Sequence, residues 1–181
     1  PAELTVYRDM IVFSAWVPGN GSTLYRTDGT PAGTYPITNI RPTGGSLGYY
    51  TGFHELRGEL YFVARDSVHG PELWKTDGTE PGTVVVKDVM PGASGSYPQS
   101  LTVVGSRTLF FMALTGSSGY GLWRSDGTEE GTVPVKPGLK ADQLTAVDDL
   151  LLFVGWSAEH GAEPWRSDGT AAGTFEVQDI A

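Results

Sequence analysis

With 181 residues, 21 acidic against 12 basic side chains and a formal charge of -9, the chain has no basic stripe to neutralise phosphates. That argues against a nucleic-acid partner and against docking on an anionic membrane. The absence of cysteine excludes disulfides, thiolate metal sites and a cysteine nucleophile, and no apolar run approaches the ~20 residues that a membrane helix needs, so no membrane insertion is expected.

The elements come in fours. A short apolar piece, Leu4-Thr5-Val6, leads through Arg8-Asp9 into a stronger run over 10–15, which reads as a strand buried on both faces. Asn20-Gly21, a favoured hairpin turn, opens a third strand that ends on Tyr25-Arg26-Thr27-Asp28-Gly29-Thr30. After Gly33-Thr34 an alternating fourth strand covers 35–40. This unit, over about 3–40, returns over 52–89, 100–138 and 143–180. In every copy a Phe stands twelve residues before the motif aromatic (Phe13, Phe62, Phe111, Phe153), and a small residue follows it by two (Ala15, Ala64, Ala113, Gly155). The motif aspartates Asp28, Asp77, Asp126 and Asp168 are spaced 49, 49 and 42 residues apart, a period that marks a repeat architecture.

Each unit is thus four short antiparallel strands, a to d, joined by tight turns that the 25 glycines supply. Only the d-to-a link is long, which is what a β-propeller requires to carry the chain from one blade's outer edge to the next blade's inner edge. The expected fold is all-β, a single β-propeller domain over 1–181 built from four four-stranded blades, as a four-bladed ring or as half of an eight-bladed dimer. The short third interval falls mostly in the link at 136–140. Pro36 and Pro134 place strand d at an edge, because proline cannot donate to a ladder. No helical period is present.

In Asp-Gly-Thr-x-x-Gly-Thr the carboxylate is able to accept hydrogen bonds across its own turn, Gly permits positive φ, and the hydroxyls of Thr30, Thr79, Thr128 and Thr170 satisfy backbone groups. The alternative is four separate calcium sites. Calcium wants six to eight oxygens from several carboxylates, and only one acid recurs per turn, so a structural knot is favoured and no cofactor is expected. The basic residue after each aromatic (Arg26, Lys75, Arg124, Arg166) lies on the opposite face of strand c and is expected to pair with neighbouring acids.

Glu72-Leu73-Trp74-Lys75-Thr76-Asp77-Gly78-Thr79-Glu80-Pro81-Gly82-Thr83 resembles the signature of the ELWxxDGT repeat family of bacterial, mostly secreted or surface-associated proteins. The similarity covers nearly the whole chain, with Tyr25, Gly121 and Pro164 departing from the pattern. It implies a propeller-like fold and a secreted or cell-surface location. The turn is also similar to the Asp-box of sialidase-type propellers, where it is structural. No signal or basic targeting segment is visible, and the chain begins at Pro1 as a mature or trimmed product would.

What recurs builds the scaffold, so positions that vary inside fixed strands are the binding candidates. Three residues after each Phe come Trp16, Arg65, Leu114 and Trp156. Exposed tryptophans stack on sugar faces or anchor protein partners, while buried ones would seal the blades against the links. On strand a, His54 stands where the other units have Thr5, Thr102 and Thr145, and His69 and His160 belong to b–c turns. Tyr49, Tyr50 and Tyr97 in the links have the composition of adaptable binding loops. No nucleophile elbow, paired carboxylates at glycosidase separation or phosphate-cradling loop is found. The expected function is a non-catalytic extracellular binding module for a glycan or protein ligand. The alternatives are an architectural repeat that oligomerises through blade edges, and a hydrolase on a propeller scaffold.

Overall fold

A computed structural model describes residues 1–19, 21–38, 40–42 and 52–180. The fold is all-β among these residues, apart from one turn of 3₁₀ helix at Gly116–Ser118. The chain divides into two compact units, Pro1–Gly95 and Ser96–Ala181, each holding two antiparallel sheets.

In the first unit, blade 1 is β1 (Ala2–Tyr7), β2 (Met10–Val17), β3 (Gly21–Thr27) and β4 (Tyr35–Thr38), paired in that order. Blade 2 contains β5 (Arg41–Pro42), β6 (His54–Leu56), β7 (Glu59–Arg65), β8 (Glu72–Thr76) and β9 (Val84–Lys87). Both β5 and β6 pair with β7, so together they hold the place of one inner strand. In the second unit, blade 3 is β10 (Gln99–Val104), β11 (Thr108–Leu114), β12 (Tyr120–Ser125) and β13 (Val133–Lys136). Blade 4 is β14 (Lys140–Val147), β15 (Leu150–Ser157), β16 (Gly161–Ser167) and β17 (Phe175–Glu176). Pro36 and Pro134 do sit on outermost strands, β4 and β13, where a missing N–H leaves no ladder partner stranded.

Alternation gives every blade two apolar faces. One, here the front, carries the recurrent Phe, the small residue and the motif aromatic. The other, the back, carries the residues between them. Within the first unit the back of blade 1 (Val12, Leu24, Ile37) packs on the front of blade 2 (Leu60, Phe62, Ala64, Trp74) as one core. Within the second unit the back of blade 3 (Phe110, Met112, Leu122, Val135) packs on the front of blade 4 (Leu151, Phe153, Trp165). The small residue exists because the indole lies on it: a Cβ at Gly155 would stand 2.5 Å from Cδ1 of Trp165.

Two features differ from the sequence expectation. The fourth strands stop early: β4 ends at Thr38, β9 at Lys87 and β17 at Glu176. In blades 2 and 4 a buried motif glutamate captures the chain beyond the strand, since Glu72 Oε1 accepts from Met90 N at 3.1 Å and Glu163 Oε2 from Ile180 N at 3.1 Å. Second, the extra residues of blade 2 enter inside strand a. In blades 1, 3 and 4 the inner strand slips register by a bulge with Glu3, Ser100 and Gln143 at positive φ. There the hydroxyls of Thr5, Thr102 and Thr145 donate to the carbonyls of those same residues. Blade 2 has His54 in the Thr position, and its inner strand comes in two pieces, with 43–53 between them in sequence. A bulge is a cheap place to admit chain, because the ladder is already broken there.

Candidate binding surface

The repeated turn is a closed hydrogen-bond circuit. Gly29 N donates to Thr27 Oγ1, which pairs with Thr34 Oγ1 at 2.6 Å, and Thr34 Oγ1 donates to the Thr30 carbonyl. The Thr34 proton is committed to that carbonyl, so Thr27 is the donor of the hydroxyl pair. Asp28 Oδ1 accepts from Thr30 N at 2.9 Å and Thr30 Oγ1 at 2.7 Å, and Gly33 N donates to Thr30 Oγ1. The same set recurs at Asp77 and Thr79, Asp126 and Thr128, and Asp168 and Thr170. The Ser or Thr before each Asp was recognised in the sequence only as part of the motif. It closes the circuit through hydroxyl pairs at 2.7 Å, buried in blades 2 to 4.

Hydrogen bonds from the Thr30, Thr79 and Thr170 side chains and backbones hold the carboxyls of Asp28, Asp77 and Asp168 below the usual aspartate range. Each therefore contributes stability that is full above the unfolded aspartate value, about 4, and is lost as pH falls through the depressed folded value. Thermal melting between neutral pH and strong acid is expected to show this loss below pH ~4. Asp77→Asn, which keeps an oxygen acceptor but no titrating proton, is expected to flatten the curve; an unchanged acid limb would contradict the circuit. Among the described residues no three His, Asp or Glu side chains come together as a metal would require.

The motif cation has a job the sequence did not disclose. Arg26 Nη1 donates to the carbonyl of Gly78 at 3.3 Å, so blade 1 is tied to the turn of blade 2 by a backbone oxygen and not by an acid. Arg124 lies against the corresponding turn of blade 4, with Cδ 3.3 Å from a Cβ built on Gly169. Lys75 behaves as expected, pairing with Glu59 at 3.1 Å. Arg166 lies over the Phe175 ring at 5.2 Å.

The variable positions fall at the strand ends next to the b–c turns, opposite the Asp-Gly-Thr turns. Trp16, near the end of β2, is 71% exposed, although Val12 and Ser14 on the same face are buried. Trp156, in the same place on β15, is 42% exposed. Arg65 closes β7 and is exposed. The other three tryptophans, Trp74, Trp123 and Trp165, are buried, and their indole N–H groups make no hydrogen bond. Tyr97 is 37% exposed, and Tyr49 and Tyr50 lie outside the described residues. His54 is half-buried opposite Tyr61 on β7, and burial pushes its imidazole below the ordinary histidine value. His69 and His160 cap their turns on carboxylates, Asp66 at 2.9 Å and Glu176 at 2.8 Å.

A polar cleft of about 350 Å³ opens in the second unit beside the turn of blade 4, lined by Arg107, Asp149 and Asp168 together with Val104, Thr108 and Phe110. In the first unit the residues in register with Val104 and Thr108 are Tyr7 and Met10. Both lie against the Gly78 turn, Met10 Sδ being 2.9 Å and Tyr7 Cε1 3.8 Å from a Cβ built on that glycine.

Four antiparallel four-strand meanders, joined outer strand to inner and packed front to back within each unit, define a β-propeller-type protein. Among solved structures the chain is similar to a puromycin hydrolase mutant complexed with PGG, at 15% identity and a TM-score of 0.58, over 96% of this chain and 28% of that one. It is also similar to TolB from Acinetobacter baumannii, at 12% identity and a TM-score of 0.53, over 92% of this chain and 39% of that one. The chain thus spans well under half the length of either, and at these identities the likeness is one of fold. No protein-family model and no curated protein matches it.

Proposed function

We propose that this chain is a non-catalytic binding module, secreted or held at a cell surface, that grips a glycan or protein ligand with tryptophans on a rigid strand scaffold. The observation that carries the reading is Trp16: an indole left 71% exposed on a strand whose preceding same-face residues, Val12 and Ser14, are buried. An indole offers roughly 250 Å² of contact area, so covering that exposed part is worth up to about 4 kcal/mol at 25 cal/mol per Å². A strand-borne ring also loses little rotamer freedom when it binds. The extracellular location rests on the resemblance to the ELWxxDGT repeat family.

Trp16→Ala with Trp156→Ala is expected to lower affinity for a ligand found by glycan array or pull-down at least thirtyfold, the loss typical of an interface hot spot at about 2 kcal/mol. The melting temperature should hardly move, since little buried surface is lost. Iodide quenching of the fluorescence provides a control without any ligand, because the double variant retains only the three buried indoles and should lose most of its quenchable emission. Unaltered affinity in a folded double variant would overturn the reading.

A further inference from the structure

Each compact unit holds a junction where the a–b turn of one blade meets the a–b and c–d turns of the next. In the first unit this junction is filled. Tyr7 Oη donates to the Gly58 carbonyl, and Arg8 Nη2 donates to the same oxygen at 3.0 Å. The Arg8 guanidinium lies 4.9 Å from the centroid of the Tyr7 ring. After the Thr79 hydrogen bonds, its charge adds to what holds the Asp77 carboxyl below the usual range. Tyr7 and Met10 close the remaining space against Gly78. The unit thus supplies its own guanidinium to a pair of turns that offer it a carbonyl oxygen and a carboxylate.

In the second unit the same junction is open. Register puts Val104 in the place of Tyr7 and Thr108 in that of Met10, so a phenol and a thioether give way to two short side chains. The turn Arg8-Asp9 becomes Gly105-Ser106-Arg107, and it begins on a residue without a side chain. On the facing blade Asp149 takes the place of Gly58, and Asp168 is the counterpart of Asp77. What remains is the cleft of about 350 Å³. The Asp149 carboxylate lies directly against the turn, since a Cβ at Gly105 would stand 2.7 Å from its Oδ1. Asp168 gives Oδ1 to Thr170 and keeps Oδ2 outside that circuit. Arg107 lines the cleft without an ion pair to either aspartate among the described residues.

We propose that the cleft binds a guanidinium group: the arginine side chain of a peptide or protein partner enters it and takes the place that Arg8 fills in the first unit. Asp149 and Asp168 accept its N–H groups, and Val104 and Thr108 flank its aliphatic stem. Arginine fits better than lysine because its planar fork presents several donors in fixed directions to two carboxylates, where an ammonium is a single point charge. The volume suits one side chain with part of the backbone that bears it, at the low end of the roughly 300–1,000 Å³ usual for ligand pockets. The cleft lies at the opposite strand ends of blade 4 from Trp156 and stands apart from the tryptophan reading.

The test is titration of the isotope-labelled chain with arginine blocked at both ends, followed by NMR through the backbone amides. Saturable shifts are expected at Gly105, Asp149 and Gly169, with a Kd of about 1 mM, the strength of a few charge-assisted hydrogen bonds. The corresponding Arg8, Gly58 and Gly78 should not move. Blocked citrulline, which has nearly the same shape without the charge, and blocked lysine should each bind at least about tenfold more weakly. Asp149→Asn should lose at least about tenfold in affinity for the arginine probe, whereas Arg107→Gln should lose nothing, because it removes a like charge. Val104→Tyr with Thr108→Met restores the residues of the first unit and should abolish binding in a chain whose circular dichroism is unchanged. The proposal is overturned if the natural chain shows no saturable shifts, if citrulline or lysine binds as well as arginine, or if Asp149→Asn binds undiminished. Trp16→Ala with Trp156→Ala should bind the probe as the natural chain does, so this proposal and the tryptophan reading fail separately.

Discussion

Gly82→Ala is expected to cost about 3 kcal/mol, at the upper end of what overpacking does, although it adds one methyl group to an exposed turn. A Cβ at this position would stand 2.0 Å from Oδ1 and 2.5 Å from Oδ2 of Asp77. The carboxylate cannot swing away without releasing Thr79 N and Thr79 Oγ1, which it holds at 2.9 and 2.6 Å. Gly78, four residues earlier, is needed for a different reason, its φ of 87°. The two glycines of the motif thus answer to separate constraints, one of dihedral angle and one of space. For a chain of this size 3 kcal/mol corresponds to a fall of roughly 6–12 °C in melting temperature. The mechanism makes a stronger prediction than the magnitude. Asp77→Ala removes both hydrogen bonds and should cost about 2 kcal/mol. Once the carboxylate is gone the three atoms nearest to the alanine Cβ at 82 are gone with it, so the double variant should be no less stable than Asp77→Ala alone. That non-additivity, about 3 kcal/mol in a double-mutant cycle, is the measurement; additive losses would mean that the glycine is required for its backbone and not for the room it leaves.

The architecture was readable because it is written four times. Alternation, turn residues and the fixed distance from Phe to Trp placed every blade and paired the right strands, and the two prolines of strand d marked its edge. What stayed hidden depends on contacts distant in sequence. Nothing local says that Glu72 and Glu163 reach across to the backbone of Met90 and Ile180, so the fourth strands were read too long. Nothing local says that the inner strand carries a bulge closed by Thr5, Thr102 or Thr145, so the substitution by His54 stood out without a reason. The bulge supplies one: His54 belongs to the blade whose inner strand comes in two pieces. Arg26 is a similar case. Its partner is a carbonyl 52 residues away, and a carbonyl leaves no trace in the sequence as a charge would.

The candidate surface was legible to a smaller extent. Comparing units singled out Trp16 and Trp156, with exposure and burial against the links left as alternatives. Exposure depends on how far along the strand the next blade extends, which side-chain alternation does not encode. Tyr25 and Pro164, departures from the Leu-Trp pair, are part-buried where the Leu or Trp of the other units is buried, so a change of residue type in the motif was the local trace of looser packing.

Trp165→Ala is expected to be the most damaging single truncation in the second unit, at about 4 kcal/mol, within the 3–5 typical of a buried aromatic. The indole is 8% exposed, lies over Gly155, is stacked with Phe153 at 6.3 Å between ring centroids, and carries Lys136 Nζ 4.8 Å above its ring. Truncation loses all of these contacts and leaves a cavity at the heart of the core shared by blades 3 and 4. Because the indole N–H makes no hydrogen bond, Trp165→Phe strands no polar partner and should cost only about 1–2 kcal/mol, from lost contact area alone. Tyr25→Ala, at the same motif position of blade 1, should cost less than Trp165→Ala, about 2 kcal/mol, because that ring is only part-buried. The order Trp165→Ala, Tyr25→Ala, Trp165→Phe in chemical denaturation tests the burial pattern. A cost for Tyr25→Ala that equals that of Trp165→Ala would contradict the difference in burial between the two rings.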